Sequence, residues 1–162
     1  MRILATAATF AALGLAACST PPAEQPLSGS WTLDADESSL AFVSVKAGQV
    51  AEAHSFPGLS GSVSESGEAT LSIDLASVDT LIDIRNERMG EHVFKGMGPA
   101  TLTANVDMAA LEALPIGGTT SDEVSGTLTV GGASVELEVA IFAARIGEDK
   151  ALITTDEMVM VQ

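Results

Sequence analysis

The sequence predicts an all-β domain, with antiparallel strands forming a sandwich or barrel and one short helix at about 86–97. Three observations lead there. Short stretches alternate apolar and polar residues with a period of two, which puts one face of a strand in a core and the other in water. Clusters of Gly, Ser and Asp punctuate these stretches, as turns between many short strands do. Beyond the amino terminus, only one stretch carries a convincing helical stripe.

The amino terminus is an address rather than part of the fold. Residues 1–17 begin with a single Arg2 and run almost unbroken through apolar residues to Ala17. That run falls short of the roughly 20 residues a bilayer-spanning helix needs. A charged start, a short apolar stretch and small residues at its end read as a secretory signal peptide. Leu15-Ala16-Ala17-Cys18 matches the bacterial lipoprotein box, in which the Cys thiol is lipidated and cleavage leaves Cys18 as the first residue. Cys18 is the only cysteine, so an internal disulfide and a Cys-based metal site are excluded. Residues 18–29 then read as the lipidated Cys18 and a Pro-rich tether. At about 3 Å per residue the tether reaches ~30 Å. Ser19 after the lipidated Cys points to the outer membrane. The expected location is the bacterial cell envelope, on the periplasmic side, with the folded domain at 30–162.

Strand candidates follow at 30–34, 39–46, 49–54, 59–65, 69–76, 100–107, 123–131, 134–144 and 150–161. The clearest alternation sets Leu71, Ile73 and Leu75 against Thr70, Ser72 and Asp74. Leu102, Ala104 and Val106 likewise alternate with Thr101, Thr103 and Asn105. Between these two strands Asp79-Thr80 favours a turn or helix cap, because both side chains can bond nearby backbone groups. From Arg85 the period changes: Met89, Val93 and Met97, with Phe94 beside them, form one helical stripe. Gly98-Pro99 is a stop signal. Residues 109–121 carry the weakest pattern, with Ala109–Leu114 as a helical turn ended by Pro115 and Gly117-Gly118.

Ser77-Val78-Asp79-Thr80, Arg85-Asn86, Met89, Phe94 and Pro99 together resemble the YceI-like family of lipocalin-like barrels. Gly126-Thr127-Leu128-Thr129-Val130-Gly131-Gly132 looks like that family's Gly-x-Leu-Thr-x-x-Gly strand and turn. Trp31-Thr32-Leu33-Asp34 and Leu40-Ala41-Phe42 look like its opening strands, and Gly58-Leu59-Ser60-Gly61 like its third. The resemblance spans roughly 30–155 and implies an antiparallel lipocalin-like β-barrel. Family members usually add at least one closing strand beyond the one expected here at 150–161, whereas this sequence stops at Gln162. The chain therefore reads as truncated relative to the family, its barrel short of full closure, with Met158–Val161 on an exposed edge strand.

The inward-facing candidates are Phe42, Leu59, Leu71, Ile73, Leu102, Leu128, Val130, Leu137, Val139 and Ile141, with Met89 and Phe94 covering one end. The chain has no Tyr and one Trp, so this lining suits an alkyl or isoprenoid chain better than a flat aromatic. A small barrel either fills itself with such side chains or holds one small ligand. The resemblance implies the second, since members bind polyisoprenoids and other long-chain amphiphiles. Arg85 and Arg88 share a helical turn, where they would meet a phosphate or carboxylate head group or else pair with Asp79, Asp83 or Glu87.

Without residues 1–17 the chain has 6 Lys and Arg against 22 Asp and Glu, a net of −16, which repels a phosphate backbone and excludes nucleic acid. His54 and His92 offer no metal-binding spacing and read as loop residues. No Gly-x-Ser-x-Gly elbow occurs, and the carboxylates are scattered as on a solvated face. The sequence thus points to a non-catalytic, cofactor-free carrier of a long-chain apolar ligand. The alternative is an envelope interaction module acting through its acidic surface, with the cytochrome b561-type membrane partner that the resemblance implies. Cys18→Ser is expected to abolish incorporation of labelled fatty acid and to release the protein from membranes. Retained label would overturn the lipoprotein reading.

Overall fold

The computed structural model describes residues 27–46 and 48–161. Seven antiparallel strands form one sheet, ordered β1 (Trp31–Thr32), β4 (Leu59–Val63), β5 (Glu68–Ile73), β6 (Ala100–Asn105), β7 (Thr119–Val130), β8 (Ala133–Arg145) and β9 (Ala151–Thr155). Strands β2 (Leu40–Lys46) and β3 (Val50–Phe56) form a separate hairpin. The large sheet curls into an open half-barrel of the lipocalin-like kind. Among the described residues β9 bonds to β8 alone, so the sheet keeps a free edge.

Local chemistry explains the tight connections. Val130 and Ala133 lie directly opposite each other, leaving Gly131 and Gly132 as a two-residue loop with φ of 57° and 87°. Such a primed turn matches the twist of the strands and needs positive φ at both positions. Gly67, at φ 87°, lets Val106 approach so closely that a side chain there would collide with the Val106 carbonyl oxygen.

The long connection from β5 to β6 starts with a short 3-10 turn at Leu75–Ser77, where Asp74 Oδ1 accepts from the Ala76 N–H at 2.9 Å. Ser55 of β3 and Asp79 then exchange two backbone hydrogen bonds, at 2.9 and 2.8 Å. Thr80 is 4% exposed, yet both its donors are used. Its N–H and hydroxyl donate to Asn86 Oδ1 at 2.8 and 2.6 Å. The helix α1 runs Asp83–His92, earlier than the expected 86–97. It starts early because the Ile82 carbonyl already accepts from the Arg85 and Asn86 N–H groups. It ends early because the Val93 and Phe94 N–H groups both turn back to Met89, and Gly96 takes φ 75°. The stripe is therefore narrower than expected: Met89 and Phe94 are half-buried, while Val93 and Met97 are exposed.

Phe56, Leu59, Ile73, Leu75, Val78 and Ala100 form the packed cluster at the α1 end of the sheet. At the opposite end Arg145 is only 2% exposed. Its guanidinium donates to the carbonyls of Leu114, Gly147 and Glu148 at 3.0, 3.1 and 3.2 Å. Carbonyl acceptors of this kind offset the cost of burying a cation. They also bolt the β8–β9 turn to the loop before β7.

Several boundaries differ from expectation. Asp107 caps a short helix α2 (Met108–Glu112), and β7 begins at Thr119, ahead of the expected 123, because β8 is long enough to pair with it to Ala144. The last strand ends at Thr155. Asp156 still donates to the Ala140 carbonyl at 2.8 Å, but Met158–Val161 are not a strand. Among the described residues the unpaired edge runs instead along β9 and the first half of β8. Leu27, assigned to the tether, is 3% exposed, so packing begins ahead of β1. Cys18, the segment 1–17 and the tether up to residue 26 lie outside the described residues. Asn86→Ala strands the Thr80 N–H and leaves its hydroxyl only the Ile82 carbonyl at 3.4 Å, and is expected to cost about 1–3 kcal/mol by urea unfolding.

Candidate apolar binding trough

Strand register aligns side chains in rows across the sheet. One row reads Gly61, Leu71, Leu102, Leu128 and Val135. The next, two residues along each strand, reads Trp31, Val63, Ala69, Ala104, Gly126 and Leu137. Because side chains alternate with period two, both rows face the same concave side. The opposite face is polar, with Ser125–Glu138 at 3.2 Å and Thr127–Glu136 at 2.9 Å as cross-strand hydrogen bonds.

Burial grades along the concave face. Leu59, Ile73 and Ala100, nearest α1, are buried in the packed cluster. Leu71, Leu102, Leu128, Val130, Val135 and Ile141 are only half-buried. The end under α1 is filled, the Leu71–Val135 row beside it is a half-buried apolar trough, and Gly126, Val124 and Leu137 beyond that row are buried again. Small residues at Gly61, Ala69, Ala104 and Gly126 keep its wall shallow.

The structure brings the sequence-predicted lining together. Phe42, Leu59, Leu71, Ile73, Met89, Phe94 and Val130 all belong to the cluster or pack against it. Leu102 and Leu128 continue the Leu71 row, and Ile141 faces the same side farther along β8, opposite Asp122. A separate depression of about 290 Å³ lies beside β8, but Glu136, Glu138 and Glu157 rim it, which does not suit an apolar tail.

Helix α1 and the turn after it reach β3 through two side-chain contacts. Arg85 Nη2 donates to Glu52 Oε1 at 3.1 Å, and the Phe94 ring meets Phe56 edge-on at 6.0 Å. The partner of Arg85 is thus Glu52 on the hairpin, not Asp79, Asp83 or Glu87 on its own segment. Arg88 is exposed and forms no ion pair with a described residue.

Between the Glu52 and Phe56 contacts stands His54, and its placement corrects the loop expectation. It is a central residue of β3, 7% exposed, opposite Phe42 in the register. Its Nε2 shares a hydrogen bond with Ser44 Oγ at 3.0 Å. The Phe42 ring lies 5.1 Å away, tilted. Its Nδ1 is buried and has no hydrogen-bond partner among the described residues. The signal was available: Glu52, His54 and Phe56 alternate in phase with Phe42. His92 is exposed in the last turn of α1, 3.8 Å from Glu91.

A family model described as a YceI-like domain matches residues 31–157. The chain belongs to this family. The matched span holds both concave rows, the hairpin and α1, so the whole trough is part of the YceI-like domain. Seven chains of known structure match. One is described as a polyisoprenoid binding domain from Saccharophagus degradans implicated in plant cell wall breakdown. It is 38% identical, with a TM-score of 0.74, and the match covers 78% of this chain and 74% of that one. No curated protein matches.

The clasp between Arg85 and Glu52 is a partly exposed pair, at 33% and 37%. Arg85→Gln is therefore expected to lower global stability by less than about 1 kcal/mol. Its main effect falls on α1, whose amides should exchange several-fold faster by hydrogen-exchange mass spectrometry.

Proposed function

We propose that this protein carries or sequesters a long-chain apolar ligand, a polyisoprenoid or a fatty acid or amide, along its concave face. One observation carries the reading: Leu71, Leu102, Leu128 and Val135 line up in register across four strands yet stay half-buried. A core would cover them, and a wet face would not be aliphatic. Each methylene laid on such a surface gains roughly 0.8 kcal/mol when fully removed from water. Membership of the YceI-like family and the polyisoprenoid-binding relative support the same class of ligand.

The mechanism is passive binding rather than catalysis. The tail lies across the strands on the Leu71–Val135 row, alongside the packed Leu59–Ile73–Ala100 row, and its head turns toward α1, which carries Arg85 and Arg88. Attachment through lipidated Cys18 keeps the domain in the cell envelope, on the periplasmic face of the outer membrane. Tethering there places it beside a reservoir of such lipids. The acidic surface leaves room for a basic membrane-protein partner of the cytochrome b561 type, which salt-sensitive affinity capture would detect.

Native mass spectrometry of protein purified from a bacterial envelope should show a co-purifying long-chain lipid. Ala104→Phe, which puts a ring on the small-residue row, should remove that adduct while preserving the fold by circular dichroism. Repeated preparations without any bound lipid would overturn the carrier reading.

A further inference from the structure

We infer that His54 Nδ1 is the hydrogen-bonding contact for an uncharged, oxygen-bearing head group at the end of the apolar ligand. The inference rests on the trough reading above and adds to it a specific residue and a class of head group.

His54 stands where an apolar path ends. Leu71 and Val130 of the trough pack against the same cluster as Phe42 and Phe56. The Phe42 ring stacks on Phe56 at 5.0 Å and meets His54 at 5.1 Å. A chain lying on the Leu71 row reaches the imidazole by displacing the side chains packed between Leu71 and Phe42. Buried ring nitrogens ordinarily have a partner, and an orphan calls for an explanation. Here Nε2 is committed to Ser44 Oγ, while Nδ1 has no partner among the described residues.

The chemistry of this pair sets the class of head group. The Ser44 hydroxyl can donate to Nε2 or accept from it. In the first case Nδ1 carries the proton and donates; in the second it accepts. One site therefore serves a hydroxyl, a carbonyl or an amide. An ionised head is disfavoured, because the Phe rings exclude the water it would need. The cations of α1 give little help, since Arg85 is already paired with Glu52 and Arg88 is exposed on the helix.

The cover over His54 is displaceable. Arg85 meets Glu52 on one side of His54, and Phe94 meets Phe56 on the other, so α1 bridges it. No residue of α1 is fully buried. Lifting it forfeits little buried apolar surface, which marks it as a low-stability segment.

The test compares palmityl alcohol with hexadecane, both delivered from cyclodextrin, using the fluorescence of the single Trp31 on the concave face. The alcohol should bind about tenfold more tightly, the worth of one hydrogen bond. In His54→Phe that preference should vanish while hexadecane affinity holds. In the unmodified protein, nitrogen-resolved NMR of ring-labelled histidine should show the Nδ1 resonance moving with the alcohol and not with hexadecane. Equal affinities, a preference that survives in His54→Phe, or an unmoved Nδ1 would each overturn the assignment and leave the trough reading intact. If neither compound binds, the trough reading falls as well.

Discussion

Two backbone hydrogen bonds between Ser55 and Asp79 hold the α1 end of this protein together. They join the β2–β3 hairpin to the connection that carries α1, and so decide which face of the hairpin the helix covers. Everything at the α1 end follows from that register. Thr80 is buried directly after Asp79, its donors must be satisfied, and Asn86 satisfies both. Asn86 lies in the first turn of α1, so the helix is fixed in place by a polar need rather than by apolar packing. Arg85 then falls opposite Glu52, and Phe94 opposite Phe56.

This arrangement separates anchoring from covering. At its start α1 is held by short, directional hydrogen bonds. Along its length it contributes only half-buried Met89, and half-buried Phe94 follows just past its end. The helix is thus held more firmly at its start than along its length. The opposite end of the sheet is organised differently: the buried guanidinium of Arg145 gathers three carbonyls from two loops and leaves little freedom. One end of the trough is therefore rigid and the other yielding.

Much of this was legible in the residues, because alternation is a local signal. The Thr70–Asp74 and Thr101–Val106 patterns predicted their strands, and the Leu71, Leu102 and Leu128 faces came together as expected. The helix was displaced because its start depends on a capping network that no periodicity encodes. Arg145 gave no warning: an Arg closing an apolar strand looks like a surface cation, and only the loop carbonyls around it make burial possible. His54 was misjudged by its neighbours Ala53 and Ser55, which point the other way; its true companions are Glu52 and Phe56. Arg85 was placed correctly on the helix but given the wrong partner, since Glu52 is distant in sequence.

The unpaired first half of β8 has a consequence of its own. A sheet closed into a ring by backbone hydrogen bonds has a bore set by strand number and stagger. This sheet, free along β8 and at β9, has no such fixed circumference. Its breadth varies with strand twist, which small backbone rotations change at modest cost. On the carrier reading proposed above, thick and thin chains, branched or straight, would fit the same wall. Selectivity by girth would be surrendered, and discrimination would pass to what lies at the tips of the guest.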